Sequence, residues 1–398
     1  MKHDKTQVLV VGAGPVGLLA ALVLTKQGVD VRVVERQSAT QARTFPVVLH
    51  PGSLRLLDDA GLAAALFWRG RPITRLAVYA DYERRAVLDL PKGSAISPGA
   101  LTLPQDILRQ ALTNALQSSG VAVEWNTRLA VLQQDAGAVW GRLLHEGQSG
   151  EQVSAFEAEF VIGADGYEST VREGLGIPMA AHGGLESYAF FDAFSQRAGS
   201  EAQLAVSEDY ANAVYPLQGG LSRFSFQVSR GLDHAPDVRT LCELIHARLP
   251  WYAEEPDSCE WSGLAEFRRA LACSFGRGRV WLAGEAAHLT GPLGVQSLNV
   301  GLDEAVELGC LIREQLGRPY DETFGAEYDR NRRQQWLELL GAEDRVALSA
   351  RSPDWARRYL SRLLNCLPAS RADLDDLLDQ LRLSPTLTEG GPVRRLSQ

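Results

Sequence analysis

Residues 8–35 read VLVVGAGPVGLLAALVLTKQGVDVRVVE, a Gly-x-Gly-x-x-Gly signature between two apolar runs and closed by an acid. Few patterns restrict a chain so strongly. Val8–Val11 has the composition of a buried parallel strand, Pro15–Gln27 that of a helix, and Val31–Val34 that of a second strand ending at Glu35. Gly12 is suited to the tight turn out of the first strand, Gly14 to close approach of backbone N–H groups to a pyrophosphate, and Gly17 to tight helix–sheet packing. Pro15 and Val16 open the helix, so its unpaired amides and positive dipole end face the phosphates. Glu35, with Arg36 beside it, falls about 20 residues past the glycines, where a carboxylate accepts both hydroxyls of a ribose. A secretory or membrane reading of the uncharged stretch Val8–Leu24 conflicts with its glycines and proline, the missing cleavage site and the strand that follows.

The 398 residues allow two or three domains. Forty basic against forty-nine acidic residues give a net charge of −9, which argues against nucleic acid or an anionic membrane as partner. Five cysteines, Cys242, Cys259, Cys273, Cys310 and Cys366, are odd in number and form no Cys-x-x-Cys. Neither a disulfide framework nor a metal site is expected, and reduced thiols point to the cytoplasm.

Beyond the opening βαβ unit the pattern predicts a helix over Ser53–Trp68, a hairpin of Ile73–Ala80 and Ala86–Leu90 about the charged turn Asp81–Arg85, and a helix opening at Pro104-Gln105-Asp106. Strands are expected at Val121–Trp125, Leu129–Gln133, Gly141–His145 and Phe160–Gly163, the last running into Ala164-Asp165-Gly166. Between Gly183 and Phe275 the texture changes to short alternating runs, Tyr188–Phe194, Ala211–Tyr215 and Arg223–Val228, which suit a half-buried antiparallel sheet. Val280–Ala283 then reads as a buried strand and Leu298–Leu316 as a long helix, and the chain is helical in pattern from Tyr320. These breaks suggest one domain from residues 1–72, 98–182 and 276–345, a β-rich second domain from 73–97 and 183–275, and a C-terminal helical segment over 346–398.

Three further segments join the glycine signature: Gly163-Ala164-Asp165-Gly166, Gly284-Glu285-Ala286-Ala287-His288, and the run Pro292-Leu293-Gly294-Val295-Gln296-Ser297-Leu298-Asn299. Together they resemble the single-component FAD-dependent monooxygenases of the p-hydroxybenzoate hydroxylase type, over roughly residues 6–345. Arg43, the run His50-Pro51-Gly52-Ser53-Leu54 and the triplet Leu103-Pro104-Gln105 add a likeness to the aromatic and polyketide hydroxylases. The fold so implied is α/β: a Rossmann-like FAD-binding domain with an inserted antiparallel β-sheet substrate domain and C-terminal helices.

The resemblance implies that Glu35 holds the adenosine ribose, that Arg43 and Gln105 lie along the ribityl and pyrophosphate region, and that Asp165 serves FAD and a passing NADPH or NADH. It places Pro292 to Asn299 at a helix N-terminus under the flavin's pyrimidine edge, with Pro292 also counted at the catalytic face. Two departures stand out. The family's Gly-Asp is Gly284-Glu285 here, and its glycine near the end of the loop is Ser297.

Other readings stand beside these. Asp165 can simply cap a turn, Arg43 can be a surface residue, and Gln105 can merely begin a helix. His288 can be a catalytic base or only orient its loop, and Tyr215 and Tyr188 can take a substrate proton or only fill a strand face. The activity implied is hydroxylation of a phenolic or polyketide-like ring with NAD(P)H and O₂ through a C4a-hydroperoxyflavin. Alternatives are a flavin halogenase or isoprenoid reductase on the same scaffold, or a non-redox FAD-binding scaffold protein. The chain lacks the Trp-x-Trp-x-Ile-Pro run of the halogenases.

Overall fold

The computed structural model describes residues 4–39, 46–94, 96–97, 99–147, 150–195, 199–229, 236–321, 323–342, 346–347 and 352–385. Its centre is a parallel sheet in which Asp4–Val11 lies between Val31–Val34 and Gly150–Gly163. Val8 pairs with Val31 on one side and Phe160 on the other, and Val161 pairs in turn with Val280 of the strand Val280–Leu282. Val8, Leu9 and Val10 are fully buried, as an apolar run covered on both faces must be. One covering layer is the helix Pro15–Lys26, against which the helix Gln296–Gln315 packs.

Several boundaries differ from the sequence pattern, each for a local reason. Phe160–Gly163 is only the end of a strand that begins at Gly150, because its outer half pairs antiparallel with Val139–Gly147. The strand expected at Val121–Trp125 shrinks to Val123–Glu124 at the sheet edge. The helix expected over Ser53–Trp68 is two helices, Pro51–Asp59 and Ala63–Phe67, separated at Gly61 with φ 78°. Ile73–Ala80 divides at Thr74: Arg71–Ile73 pairs with Ala100–Pro104, while Arg75–Ala80 joins another sheet.

That other sheet has seven strands, in the order Cys259–Phe267, Glu186–Phe194, Leu221–Val228, Ala211–Pro216, Glu201–Val206, Arg75–Ala80 and Glu83–Asp89. It is mixed rather than purely antiparallel, since Arg75–Ala80 runs parallel to Glu201–Val206. A strand arriving from far upstream need not enter as a hairpin partner. One face carries Ala189, Phe191, Phe224 and Phe226 against Leu241 and Ile245 of the helix Val238–Arg248. The opposite face carries Tyr188, Phe190, Ala213 and Tyr215, which join the core of the parallel-sheet domain.

The C-terminal segment forms the helices Asp354–Arg358, Leu360–Cys366 and Ala372–Gln380 and bridges the two sheets. Tyr359 donates to Asp81 at 2.5 Å, Arg55 donates twice to Asp373 at 2.7 and 2.8 Å, and Gln380 exchanges two bonds with the backbone of Asp89. Among the described residues no helix is long and apolar enough to cross a membrane.

Phe191, fully buried and edge-on to Phe226, holds the second sheet to its helix. Phe191→Ala is expected to cost about 3–5 kcal/mol of unfolding free energy, measured by urea titration. A loss below about 1 kcal/mol would show that this face is not the domain's core.

Candidate functional site

The turn after the first strand meets the turn after Gly163 with no side chain between them. At Gly12, φ 108°, an added Cβ would lie 2.2 Å from the carbonyl oxygen of Ala164, and at Gly17 one would lie 2.1 Å from that of Gly12. Gly14, by contrast, faces open space. It caps the helix Pro15–Lys26 through backbone alone, with no side-chain cap, so the amides of the first turn, Val16 and Gly17 included, have no intrahelical partner. An anion is the partner such a terminus takes.

The Glu35 carboxylate closes the far side, accepting from the Ala13 amide at 2.7 Å and the Gln37 amide at 2.9 Å. Each oxygen retains a lone pair for a ribose hydroxyl. Arg36 stands outside this contact, 3.7 Å from Glu168, with both side chains exposed. Gln105 begins the helix Gln105–Ser118 and is half-buried. Arg43 lies outside the described residues. The Gly12–Gly14 turn, Glu35 and the Ala164–Gly166 turn follow the carboxyl ends of the parallel strands, and the open Gly14, the uncapped helix and the acid together fit a dinucleotide.

Asp165 spends its side chain on the turn. Ser169 donates to it at 2.6 Å, Thr170 at 2.9 Å and the Val171 amide at 3.2 Å. Burial raises its carboxyl pKa above the usual range despite these bonds. Of the two readings of Asp165, the capping one is visible here, and the half-buried carboxylate keeps acceptor capacity beyond these three bonds. Glu285 differs: its side chain reaches solvent, although desolvation by the protein around it pushes its carboxyl pKa up.

Behind Glu285 lies a buried cluster that the sequence pattern missed. Glu304 accepts from the Gly284 amide, His288 Nε2 and Trp336 Nε1, each at 2.8 Å, and His288 stacks on Trp336 at 3.8 Å. Burial works to raise the Glu304 carboxyl, but His288, the Arg332 charge and the Trp336 hydrogen bond together outweigh it and hold the pKa low. His288 and Glu304 are both fully buried. Of the two readings of His288, this burial and pairing favour the orienting one, since Glu304 joins its imidazole to the amide of the Gly284–Ala286 turn.

The loop from Pro292 to Asn299 is held from four directions. Val295 adopts a left-handed conformation, φ 51°, and the helix Gln296–Gln315 that follows has no side-chain cap. Gln296 Nε2 donates to the carbonyls of Leu367 and Ala369 at 2.8 and 3.0 Å. Asn299 Nδ2 donates to the carbonyls of Val48 and Val295, both at 2.8 Å, while its Oδ1 accepts from the His50 amide at 2.7 Å. His50 Nε2 donates to the Gly294 carbonyl at 2.7 Å, and Tyr215 Oη to that of Leu293 at 2.9 Å.

Gln296 and Asn299 therefore grip protein through their side-chain amides. The uncapped amides from Gln296 to Leu298 are the groups left to meet an anionic edge. Ser297 Oγ is buried without a hydrogen-bond partner among the described residues, an orphan that a bound group would satisfy. Pro292 and Leu298 are half-buried along the same rim. Tyr215 is buried, its phenol pKa is driven up by burial, and its bond to Leu293 braces the loop. A wider hollow of about 400 Å³, lined by Leu132, Trp140 and Arg277, opens on the flank of the hairpin strands and includes none of these residues.

Residues 5–339 match the family described as FAD binding domain, and the chain belongs to that family. It is 30% identical over 336 residues to 6-methylpretetramide 4-monooxygenase of Streptomyces rimosus, covering 81% of this chain and 59% of that protein. To para-nitrophenol 4-monooxygenase of Pseudomonas sp. (strain WBC-3) it is 30% identical over 343 residues, 83% of this chain and 84% of that protein. The crystal structure of p-nitrophenol 4-monooxygenase from Pseudomonas putida DLL-E4 superposes with a TM-score of 0.73 at 25% identity, covering 95% of this chain and 97% of that one. The chain spans 57 to 65% of the length of the first three curated relatives it matches.

Two expectations follow from this geometry. Removing the Glu35 carboxylate should weaken FAD binding about tenfold or more, the scale of a charge-assisted hydrogen bond. Fluorescence titration of the apoprotein with FAD reads it, and an unchanged affinity for Glu35→Ala would displace the ribose from this acid. The second concerns His50, whose pKa burial lowers from 6.5 to about 4. Unfolding lets it take up a proton between those values, so its contribution to stability is full above pH 6.5 and is lost as the pH falls toward 4. Urea titrations should show a fall of about 3 kcal/mol across this window that His50→Gln removes. Parallel curves for parent and variant would contradict it.

Proposed function

We propose that the chain is an FAD-dependent monooxygenase that hydroxylates an aromatic small molecule, phenolic or polyketide-like, with NADPH or NADH as reductant and O₂ as oxidant. One observation carries the reading: the face of the second sheet bearing Tyr188, Phe190 and Tyr215 packs onto the Pro292–Val295 loop, joined by the hydrogen bond from Tyr215 to Leu293. A wall of aromatic side chains thus stands directly over the segment that the family uses beneath its flavin. Tyr188, Phe190 and Phe267 contact one another at centroid distances of 5.7 to 6.1 Å, so the wall is a packed aromatic cluster.

When bound, FAD supplies hydride acceptance from the nicotinamide and delivery of one oxygen atom from O₂. The residues of the chain do the remaining work. Gly14 and the first turn of its helix receive the pyrophosphate, Glu35 holds the ribose, and Glu285 borders the ribityl chain. The uncapped start of the helix Gln296–Gln315 favours the negative charge of a reduced cofactor. The two sheets and the C-terminal helices exclude water from the ring between them. The names of the relatives, which act on 6-methylpretetramide and para-nitrophenol, support both a polyketide and a simple phenol as substrate class. The five free cysteines support a reducing, cytoplasmic setting.

Incubation with NAD(P)H, a panel of phenols and isotope-labelled O₂ tests the proposal. The expected result is a steep rise in NAD(P)H oxidation with the right substrate and one labelled oxygen in the product. Product oxygen drawn from water, or substrate-independent oxidation with every phenol, would overturn it.

A further inference from the structure

Where the hairpin of Thr127–Gln134 and Val139–Gly147 meets the end of the short helix Thr170–Gly174, the chain forms a hollow of about 400 Å³. That is the volume of a small-molecule site, enough for a fused aromatic ring system. Leu132 and Leu175 give it apolar surface, and Trp140 gives it an aromatic one. Gly174 keeps it open. A Cβ there would already touch Leu132 at 3.5 Å, so a longer side chain would extend into the hollow.

Hydrogen bonds fix the walls in place. Trp140 Nε1 donates to Gln133 Oε1 at 3.0 Å, which commits the polar edge of the half-buried indole to its own hairpin and holds the plane of the ring. Gln134 is committed to backbone, donating to the Arg277 carbonyl at 3.0 Å and accepting from the Arg279 amide at 2.8 Å. What remains for a ligand is the face of the indole and one charge. Arg277 is the only charged residue in the lining, and its guanidinium is exposed. It donates to the Leu175 carbonyl at 2.7 Å and pairs with no carboxylate among the described residues. Capping the helix end in this way occupies a single Nη. The rest of a planar fork of N–H donors, the shape that matches a carboxylate, stands at the rim of an otherwise apolar and aromatic hollow.

We propose that this hollow is a second small-molecule site, for a planar aromatic carboxylate that lies on Trp140 and pairs with Arg277. It is separate from the place where a ring would be hydroxylated, since neither the cofactor cradle nor the aromatic sheet face contributes to its lining. One short helix nonetheless joins it to both cofactor turns. Thr170 at the start of that helix donates to Asp165 at 2.9 Å, Arg172 in its middle donates to the Ala286 carbonyl at 3.0 Å, and Gly174 at its end borders the hollow. A molecule held here touches the support of the cradle without entering it.

Equilibrium dialysis of the full FAD-loaded chain tests this, with 2-naphthoate as the aromatic carboxylate and 2-naphthamide as a neutral molecule of nearly the same shape. The parent is expected to bind the carboxylate more tightly than the amide. Arg277→Gln should weaken 2-naphthoate about tenfold or more and leave the amide within about twofold. Trp140→Ala should weaken both probes about fivefold or more. Gly174→Leu should remove one bound equivalent of 2-naphthoate, which separates this hollow from any binding at the aromatic sheet face. Flavin content, read from the visible spectrum, should match the parent in every variant, so that the losses report on the hollow and not on the fold. A parent that does not bind 2-naphthoate, an unchanged stoichiometry in Gly174→Leu, or an Arg277→Gln loss shared equally by the amide would overturn the proposal.

Discussion

Backbone meets backbone where the first strand turns, and the cofactor end of the molecule is organised around that contact. With the Ala164 carbonyl 2.2 Å from where a Gly12 side chain would begin, the two turns at the carboxyl ends of neighbouring strands form a single surface. The helix behind Gly14 can then aim its amides outward, and Glu35 can reach back to the Ala13 amide to fix the loop. A methyl group at either turn would separate the two by more than the cradle tolerates. The pyrophosphate end is thus specified sterically, by what is absent, and electrostatically by a helix end left uncapped.

The other end of the site is specified by hydrogen bonds from remote parts of the chain. His50, Tyr215, Asn299 and the Leu367 and Ala369 carbonyls all secure a loop of a few residues. Val295, a β-branched residue in a left-handed conformation, is strained by roughly 1–3 kcal/mol, which such over-determination can sustain. These contacts are neutral ones. A buried imidazolium at His50 would place positive charge behind the loop, and burial suppresses it. Net charge appears instead where solvent can answer it, at the exposed Glu285.

The parallel-sheet half was legible because its signals are local. Val31–Val34 coincides with the strand expected from its apolar run, and the helix begins at Pro15 as the proline and glycines indicate. The second sheet was less legible, since Glu201–Val206 and Cys259–Phe267 carry no clean alternation and owe their state to partners far away in sequence. At the site, the glycines and Glu35 could be placed from spacing, whereas His288, Asp165 and Gln296 could not be assigned a direction. Nothing in GEAAH distinguishes an imidazole pointing to substrate from one stacked on Trp336, because that depends on Glu304 and Trp336 packing beneath it. Glu304 gave no signal at all, being an ordinary residue whose burial is decided by tertiary contact, and His50 stood out only within the run His50–Leu54, which does not tell that its imidazole reaches the Gly294 carbonyl.

The strand order has a consequence for how the molecule comes to exist. Asp4–Val11 can pair early with Val31–Val34, but its other neighbour is residues 156–163, and the strand beyond that begins only at Val280. During synthesis, then, Asp4–Val11 waits for residues 156–163, while the far flank of that strand and the outer face of the helix Pro15–Lys26 stay open through most of the second sheet, until Val280–Leu282 and Gln296–Gln315 follow. Such a high-contact-order core exposes sticky intermediates and folds slowly. A cell producing this chain must keep its first half from aggregating until the last strand arrives, so yield is governed by chaperone supply and translation pace as much as by the stability of the finished fold.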